Sequence, residues 1–504
     1  MVSESNGTAA SAETYHQKAI SSLKDGSLFI AEAFIDGEWV KKEKEFDVYE
    51  PSTATVLGRV SNCELADFKA AISSAEKAQT EFWESTTAAQ RGAILRKWND
   101  LILANTDDIG TILSLENGKT LSEAKGEVAY AASFVAWFAE EATRAYGDTI
   151  PSSTPHTTVL TFKEPIGVCG IITPWNFPAA MITRKIAPAF AAGCSVVIKP
   201  PSETPYTCAA LTKLALQAGL PPKVIQVLPT KDRAAATELA TNAGVKKISF
   251  TGSTGVGKML AKLATGTLKR ASLELGGNAP FIVFEDADLD LAAEGAMFCK
   301  FRCSGQTCVC ANRIIVQESI LEAFTAKLVE KVKALKTGPG LDPNTTQGPL
   351  VNKSGVDKTA QHVQDAVSKG AKIAIGGSAP EGSGFYFSPT VLTGVTEDML
   401  VANDETFGPL APIFTFKTEA DAVRLANATE FGLAGYFFSK DIGRVMRVAR
   451  KLECGMVGVN TGKISAAEAP FGGVKESGYG REGSMYGIAE YQTIKSVTIG
   501  NLNL

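Results

Sequence analysis

Two cysteines, Cys308 and Cys310, stand two residues apart in the segment GQTCVC that begins at Gly305. A thiolate attacks a carbonyl carbon readily, and a neighbouring thiol can cap it as a disulfide. In an extended segment such residues lie about 6.5–7 Å apart at Cα, so a disulfide needs a bend in the chain. The segment predicts either a nucleophilic site that oxidation can block, or two small buried fillers.

An amide and a carboxylate elsewhere have the chemistry that a nucleophilic site needs. Asn176 lies in TPWNFP, where prolines on both sides restrict the backbone and make the amide a rigid hydrogen-bond donor. Glu274 lies between apolar residues in LELGGN, where desolvation would raise the pKa of its carboxyl towards that of a general base. Taken alone, each segment is also typical of a structural asparagine or a salt-bridged glutamate.

Further segments have the composition of a nucleotide site. Lys199 ends an apolar run, which places it at the carboxyl edge of a predicted parallel sheet, where α/β proteins bind ligands. Residues 250–258, FTGSTGVGK, join a strand to a helix and let the backbone approach a pyrophosphate, although they match neither G-x-G-x-x-G nor the P-loop spacing. ETFGP at 405–409 and PFGG at 470–473 add aromatic rings and a carboxylate. Taken singly, each segment is also compatible with an ordinary loop.

Composition limits the kinds of partner. The 504 residues carry 50 Lys plus Arg against 54 Asp plus Glu, a formal net charge of -4. We therefore expect a small-molecule substrate rather than nucleic acid or a membrane. The three histidines, His16, His156 and His362, are dispersed, which predicts no metal site.

Cysteine usage and the start of the chain indicate a compartment. Nine cysteines at irregular spacing do not form a disulfide framework, which predicts a reducing, cytoplasmic environment. The first 25 or so residues contain no arginine and no apolar core, so we expect a flexible terminus rather than a signal or transit peptide. The sequence contains no 18-residue apolar run that would predict a membrane span.

Apolar runs alternate with helical segments in the middle of the chain. Strands are predicted at 166–172, 195–198, 224–228 and 247–250, and helices at 179–192, 206–218 and 233–243. This alternation is typical of right-handed βαβ units in a parallel sheet.

The flanking regions differ from this pattern. Residues 64–145 are predicted to be mainly helical, and a second alternating block begins with strands at 280–284 and 312–317. The tail at 491–499 alternates like a strand with no partner nearby, for which an oligomer contact is one outlet.

The segments named above, in this order from about Phe34 to the C-terminus, resemble the aldehyde dehydrogenase superfamily. The combination TPWNFP, FTGSTGVGK, GQTCVCANR, ETFGPLAP and PFGGVKESGYGREG is most similar to the branch that oxidises succinate semialdehyde. The resemblance implies an α/β fold with a Rossmann-like parallel-sheet cofactor domain, an α/β catalytic domain and a small β oligomerisation arm. Dimers or tetramers are usual in such proteins.

The same resemblance implies the domain boundaries. A flexible N-terminus is expected at 1–28, and the dinucleotide-binding domain at 29–145 and 166–275. The catalytic domain is expected at 276–484, and the oligomerisation arm at 146–165 and 485–504.

The resemblance also implies the catalytic roles. Cys308 would attack the aldehyde, and the Asn176 side chain with the Cys308 N–H would hold the oxyanion. Glu274 would activate the water that releases the acid. Cys310 would form a redox switch with Cys308, a role that the residues themselves leave open.

For the cofactor, the resemblance implies NADP or NAD. Lys199 would bind the adenosine ribose, and Glu405 the nicotinamide ribose. The other predicted cofactor contacts are Trp175, Ser202, Gly252, Ser253 and Phe407. Many relatives that prefer NAD carry a glutamate where this chain has Ser202, and a carboxylate there would repel a 2′-phosphate, so we expect a preference for NADP. The adjacent Glu203 opposes this preference if it turns into the site.

For the substrate, Arg184, Arg302 and Ser465 match the residues that relatives use for the distal carboxylate. Lys463 departs from the pattern, because an apolar residue is common there. Glutarate semialdehyde or an uncharged aldehyde are alternative substrates, and a binding protein without activity on the same scaffold is the alternative from another class.

Overall fold

The computed structural model describes residues 14–501, and its strands follow the apolar runs of the sequence. In chain order the strands are β1 Ala33–Ile35, β2 Glu38–Val40, β3 Glu45–Glu50, β4 Thr55–Ser61, β5 Thr149–Pro151, β6 Thr158–Pro165, β7 Val168–Ile172, β8 Val196–Lys199, β9 Ile225–Val227, β10 Val245–Thr251, β11 Arg270–Glu274, β12 Pro280–Val283, β13 Arg313–Gln317, β14 Lys372–Ile375, β15 Thr390–Thr393, β16 Leu410–Phe416, β17 Ala434–Phe438, β18 Met456–Val459, β19 Gly478–Tyr479 and β20 Gln492–Ile499.

The helices follow the same order along the chain. They are α1 Tyr15–Ser21, α2 Leu65–Ser85, α3 Ala88–Ala104, α4 Thr106–Asn117, α5 Leu121–Glu141, α6 Pro178–Ala192, α7 Tyr206–Gln217, α8 Arg233–Thr241, α9 Thr254–Ala264, α10 Leu289–Phe301, α11 Leu321–Lys333, α12 Lys353–Ser368, α13 Leu400–Asn403, α14 Glu419–Asn427, α15 Ile442–Lys451 and α16 Ser484–Ala489. In the described residues no helix is both long and apolar enough to cross a membrane.

The first sheet has eight strands in the order β19-β11-β10-β7-β8-β9-β1-β2. Its central strands β11, β10, β7, β8 and β9 are parallel, and the strands at both edges are antiparallel to their neighbours. The central strands are almost wholly buried, as expected for a parallel sheet that helices cover on both faces. Helices α3, α5, α6 and α7 contribute to the main core of this part of the molecule. The predicted βαβ units are therefore present, with ends within two residues of those expected.

The second sheet has seven strands in the order β14-β15-β16-β13-β12-β17-β18. All of its neighbouring strands are parallel except β14 and β15. The first sheet also draws on this part of the chain, because β19 pairs with β11 in the register Glu274 with Gly478. Two α/β units therefore meet at the strand that carries Glu274.

A three-stranded antiparallel sheet, β20-β6-β5, stands apart from the two larger sheets. The tail was expected to lack a nearby partner, but β20 pairs with β6 over eight residue pairs, from Gln492 with Pro165 to Ile499 with Thr158. Local patterns do not reveal this partner, because β6 lies more than 300 residues away along the chain. The fourth sheet is the hairpin of β3 and β4.

The structure describes only residues 14–28 of the segment that was expected to be flexible, 1–28. Residues 1–13 lie outside the described residues. From Tyr15 onwards the chain is folded, because α1 begins with a capping box at Thr14 and the backbone N–H of Lys24 donates to Asp108 at 3.0 Å. Leu28 is fully buried, so this part of the segment is attached to the core.

Candidate active site

The segment before Cys308 has an unusual backbone. After α10, Cys303 and Ser304 adopt φ values of 51° and 53°, in the left-handed region that side chains disfavour. The Glu123 carboxylate accepts the backbone N–H of Cys303 at 2.8 Å and stabilises this conformation. At Gly305, with φ +74°, a Cβ would lie 2.1 Å from the carbonyl oxygen of Gly408, so only glycine fits.

Cys308 lies in a tight turn after this segment. The backbone N–H of Cys310 donates to the carbonyl oxygen of Thr307 at 3.0 Å, which bends the chain around Cys308. The Cys308 side chain is half-buried, and burial raises the pKa of its thiol to about 12. Arg184 opposes this rise and Glu274 adds to it. In the free protein the group is therefore a thiol whose proton must leave before it attacks.

Glu274 is the last residue of β11 and is buried. It forms an ion pair with Arg184 of α6, which also pairs with Glu482. Burial raises the pKa of Glu274, Glu482 raises it further, and Arg184 lowers it. Gly277 follows β11 closely, and a Cβ at this position would clash with the carbonyl oxygen of Cys308. The segment after β11 therefore lies directly against the loop of Cys308.

Asn176 lies at the other side of this loop. Its Nδ2 donates to the carbonyl oxygen of Gln306 at 3.0 Å, and its Oδ1 is buried without a hydrogen-bond partner. The backbone carbonyl of Asn176 accepts from Lys119 Nζ at 2.8 Å, and Lys119 forms a fully buried ion pair with Glu127. The amide is therefore fixed through both its side chain and its backbone.

Glu127 also fixes the helix that follows Asn176. Its carboxylate accepts the backbone N–H groups of Ala179 and Ala180, at 2.8 and 3.3 Å, and so caps the first turn of α6. Pro178 occupies the first position of α6, where proline has no N–H to satisfy.

The expected dinucleotide contacts lie along the carboxyl edge of the first sheet. Lys199 ends β8, and its ammonium makes no salt bridge or hydrogen bond within the described residues. Burial lowers the pKa of Lys199, and Glu203 opposes that shift. Ser202 donates to Glu203 Oε2 at 3.1 Å, so the carboxylate that was expected to interfere does lie beside Ser202.

The glycine-rich turn after β10 leaves a helix end open. Ser253 is the N-cap of α9, yet its side chain makes no capping hydrogen bond. A Cβ on Gly255 would meet nothing within 4 Å, which leaves room beside the first turn of α9. Free N–H groups at a helix N-terminus suit a pyrophosphate, so this turn fits the group that the sequence implied.

Aromatic rings and a carboxylate complete this side of the site. Trp175 and Phe407 meet edge to face, with ring centroids 5.5 Å apart. Glu405 Oε1 accepts the backbone N–H of Gly277 at 3.0 Å, and burial raises the pKa of Glu405 to about 7. The side chains at 175, 199, 202, 253, 405 and 407 thus fit a dinucleotide by their chemistry.

A cavity of about 470 Å³ opens beside the loop of Cys308. Arg302, Ser465 and Lys463 line it, together with Thr307 and Val309 on either side of Cys308. The volume is in the range of small-molecule sites.

Arg302 lines this cavity and forms no ion pair within the described residues, which is also true of Lys463. Its guanidinium lies over the rings of Phe177 and Phe298, 5.2 and 4.8 Å from their centroids. Its Nε is buried without a hydrogen-bond partner, and it forms no salt bridge with any described residue. Arg184 is not among the residues that line the cavity, although Tyr130, which lines it, is close to both arginines.

Several residues of the site were not expected from the sequence. Lys119, Glu127 and Glu482 are buried and Glu123 is half-buried, and all four contact the elements that hold Cys308, Asn176 or Glu274. The helix containing Glu123 and Glu127 showed only an Ala-rich charged pattern. One signal was available, because Glu482 lies within the GREG segment of the recognised motif.

A thiol in a strained loop, a buried carboxylate and an amide donor beside a nucleotide-binding edge define an oxidoreductase that uses a covalent cysteine intermediate. The profile of the aldehyde dehydrogenase family matches residues 39–497. This chain belongs to the aldehyde dehydrogenase family.

Individual relatives are similar over nearly their whole length. A glutarate-semialdehyde dehydrogenase of Pseudomonas putida is 52% identical, over 95% of this chain and 99% of its own. Succinate-semialdehyde dehydrogenase [NADP(+)] 1 of Schizosaccharomyces pombe is 52% identical, over 96% and 99%. The crystal structure of a succinate-semialdehyde dehydrogenase from Burkholderia pseudomallei superposes with a TM-score of 0.94 at 52% identity, covering 95% of this chain and 100% of that one. The predicted fold and family are confirmed.

Proposed function

We propose that this chain oxidises succinate semialdehyde to succinate, with NADP as the preferred oxidant. The observation that carries the proposal is a cavity in which Arg302 has no counter-ion, directly beside the loop of Cys308. A guanidinium held between two aromatic rings suits the distal carboxylate of a short semialdehyde, with Ser465 as a hydroxyl partner.

We propose that Cys308 is the nucleophile and adds to the aldehyde carbon as a thiolate. One hydrogen of the Asn176 amide is occupied by Gln306, which leaves the second, with the Cys308 N–H, for the developing oxyanion. A bound nicotinamide would supply the two-electron oxidant, a hydride acceptor, that converts the adduct on Cys308 into a thioester. Glu274 then removes a proton from water, which attacks the thioester and releases succinate and the thiol.

We propose that the dinucleotide lies along the edge between β8 and α9. Lys199 and Ser202 would hold the adenosine ribose and its 2′-phosphate, and Gly252 and Ser253 the pyrophosphate. Glu405 would bind the nicotinamide ribose, while Trp175 and Phe407 would line the ring site. Support comes from the unpaired ammonium of Lys199 and the uncapped first turn of α9. The Schizosaccharomyces pombe relative is itself named for NADP.

We propose the domain boundaries that the sequence implied, with the dinucleotide-binding domain at 29–145 and 166–275 and the catalytic domain at 276–484. The arm would comprise 146–165 and 485–504, of which residues 502–504 lie outside the described residues. The separate three-stranded sheet supports this division, and its exposed apolar side chains support a dimer or tetramer. Nine free cysteines, with a thiol as nucleophile, support a reducing cytoplasmic setting.

Glutarate semialdehyde is the second candidate substrate. The Pseudomonas putida relative bears its name, and Lys463 lines the same cavity as Arg302, which offers a second cation for a longer chain.

The deciding experiment measures the reduced nicotinamide cofactor formed from succinate semialdehyde, glutarate semialdehyde or propanal. Each aldehyde is tested with NADP and with NAD. We expect the highest kcat/KM with succinate semialdehyde and NADP. A higher value for glutarate semialdehyde would transfer the proposal to the second candidate. Equal values with propanal would remove the role of Arg302, and no rate with any pair would refute the proposed oxidation.

A further inference from the structure

We propose that Tyr130 is a specificity-determining residue, whose hydroxyl group donates a hydrogen bond to the distal carboxylate of the substrate beside Arg184 and Arg302. The inference rests on the proposed function, in which the substrate is a short semialdehyde. It adds an uncharged donor that the sequence did not indicate, because Tyr130 lies in a helix of ordinary Ala-rich composition.

One face of α5 forms a wall of the cavity. Glu123, Glu127, Tyr130 and Ser133 line it at spacings of three or four residues, which places them on the same side of the helix. The two carboxylates and the hydroxyl of Ser133 all have partners within the protein. Of these four polar side chains, only that of Tyr130 has no hydrogen-bond partner within the described residues.

The hydroxyl of Tyr130 is held in place although no described protein group binds it. Its oxygen is buried, and the ring packs edge to face against Phe134 with centroids 4.9 Å apart. This contact restricts the orientation of the phenol. A buried polar group without a partner costs free energy, so an unpartnered phenol in the wall of a cavity is suited to bind a ligand there.

Two arginines lie close to this phenol. Burial raises the pKa of Tyr130, and the positive charges of Arg184 and Arg302 oppose that rise. Arg184 pairs with Glu274 and Glu482, yet its Nη1 is buried without a hydrogen-bond partner, as is Nε of Arg302. Donors on three side chains are therefore grouped here with no acceptor of their own.

A carboxylate is the group that satisfies such a set of donors. Its two oxygens accept about four hydrogen bonds, whereas an uncharged alkyl aldehyde offers no acceptor at its distal end. The guanidinium groups supply the positive charge that a carboxylate needs. Because burial raises the pKa of Tyr130, the phenol stays protonated at neutral pH and offers a hydrogen rather than a second negative charge.

Tyr130→Phe removes this hydroxyl and keeps the ring. We expect the KM for succinate semialdehyde to rise about 10- to 100-fold, as for the loss of a hydrogen bond to a charged group. The value of kcat and the KM for propanal should change little, because the phenol binds only the distal end of the substrate. Steady-state kinetics at saturating NADP measures both aldehydes. Tyr49→Phe, which changes an exposed tyrosine of β3, is the matched control and should alter neither KM.

Thermal unfolding separates this role from a structural one. Without ligand, Tyr130→Phe should have the Tm of the wild type or a slightly higher one, because the lost hydroxyl leaves no protein group unpaired. Succinate carries the same distal carboxylate and needs no turnover. It should raise the Tm of the wild type and of Tyr49→Phe more than that of Tyr130→Phe.

Different results would overturn the proposal. An unchanged KM for succinate semialdehyde in Tyr130→Phe, or equal rises in KM for both aldehydes, would remove the phenol from carboxylate recognition. A lower Tm of the ligand-free variant, with the same rise on adding succinate as in the wild type, would make Tyr130 a structural residue.

The succinate measurement also separates this inference from the function on which it rests. Absence of aldehyde oxidation by the wild-type protein would refute the proposed function. The rise in Tm with succinate would then still decide on Tyr130. A smaller rise in Tyr130→Phe would support the phenol as a carboxylate donor, and equal rises, or none in either protein, would exclude it.

Discussion

Arg184 and Arg302 differ in what faces their guanidinium groups. Arg184 pairs with the carboxylates of Glu274 and Glu482, although its Nη1 has no hydrogen-bond partner, whereas Arg302 lies between aromatic rings with its Nε unpartnered. A charged side chain in a cavity without a counter-ion is costly unless a ligand supplies the charge. We therefore expect the unpaired guanidinium of Arg302 to bind the distal carboxylate of the substrate.

Replacing Arg302 tests the substrate site directly. For Arg302→Gln we expect KM for succinate semialdehyde to rise about 30- to 100-fold, the equivalent of about 2–3 kcal/mol for a hydrogen bond to a charged group. KM for propanal should change little, because propanal has no distal carboxylate. Steady-state kinetics on both aldehydes measures this, and similar losses on the two would contradict it.

Oxidation of Cys308 with Cys310 is the second prediction at this scale. Both thiols are free, and the turn from Thr307 to Cys310 supplies the bend that a disulfide requires. Hydrogen peroxide should take two electrons and two protons from the thiol pair, leaving a disulfide and water. Activity should fall and recover with dithiothreitol.

Cys310→Ala supplies the control for that prediction. Without a second thiol the loss of activity should no longer be reversed by dithiothreitol once Cys308 is oxidised beyond the sulfenic acid. Cys454→Ala, which changes a half-buried cysteine elsewhere, should behave like the wild type. Full dithiothreitol-reversible inactivation of Cys310→Ala would rule out the pair.

We expect the turn between β8 and α7 to determine the preference between NADP and NAD. Ser202 and Glu203 lie side by side there, with Lys199 at the end of β8. Ser202→Glu should lower kcat/KM for NADP by at least about tenfold through repulsion of the 2′-phosphate, and should spare NAD. Glu203→Gln should favour NADP further, since it removes the only carboxylate of this turn. Parallel kinetics with both cofactors decides, and a Ser202→Glu variant with unchanged preference would exclude this turn as the determinant.

The buried pair of Lys119 with Glu127 joins α5 to α6. Lys119→Met leaves Glu127 charged, buried and without its cation, and frees the carbonyl of Asn176. We expect a loss of about 3–5 kcal/mol in the free energy of unfolding, as for other broken buried pairs. Urea unfolding measures the loss, with Lys353→Met, which removes an exposed pair to Asp357, as the control. A similar small effect in both would contradict the role of the pair.

Local sequence was a good guide to the elements and a partial guide to the site. Apolar runs placed β7 and β8 to within two residues, because a strand buried on both faces is mainly apolar along its length. The apolar neighbours of Glu274 correctly predicted its burial.

Contacts between elements that are distant along the chain could not be predicted from local sequence. The sequence around Glu127 is typical of a solvent-exposed helix face. Its burial depends on α6, which begins about 50 residues later. The pairing of Arg184 with Glu482 joins residues nearly 300 positions apart. Local patterns do not encode such pairs, because each partner alone is typical of a surface.

At the scale of the whole molecule, the three-stranded sheet presents apolar side chains to solvent. Ile494 is 72% exposed on β20, an edge strand, and Phe162 is 48% exposed on the central strand β6. Phe162 pairs with Lys495, so the two apolar side chains lie on opposite faces of the sheet. Such a surface is typical of a subunit contact. Ile494→Lys should shift the protein towards smaller species in sedimentation analysis. The control Thr498→Lys changes a residue of the same strand to the same cation, and an unchanged oligomer in Ile494→Lys would exclude this face.

The pairing of β19 with β11 affects how the dinucleotide can enter and leave its site. It bonds the strand that carries Glu274 to a segment from the C-terminal part of the chain, in the register Glu274 with Gly478. A hinge motion that separates the two α/β units would break this pairing and move Glu274 away from the loop of Cys308. We therefore expect the dinucleotide to exchange without a clamshell opening of the two α/β units.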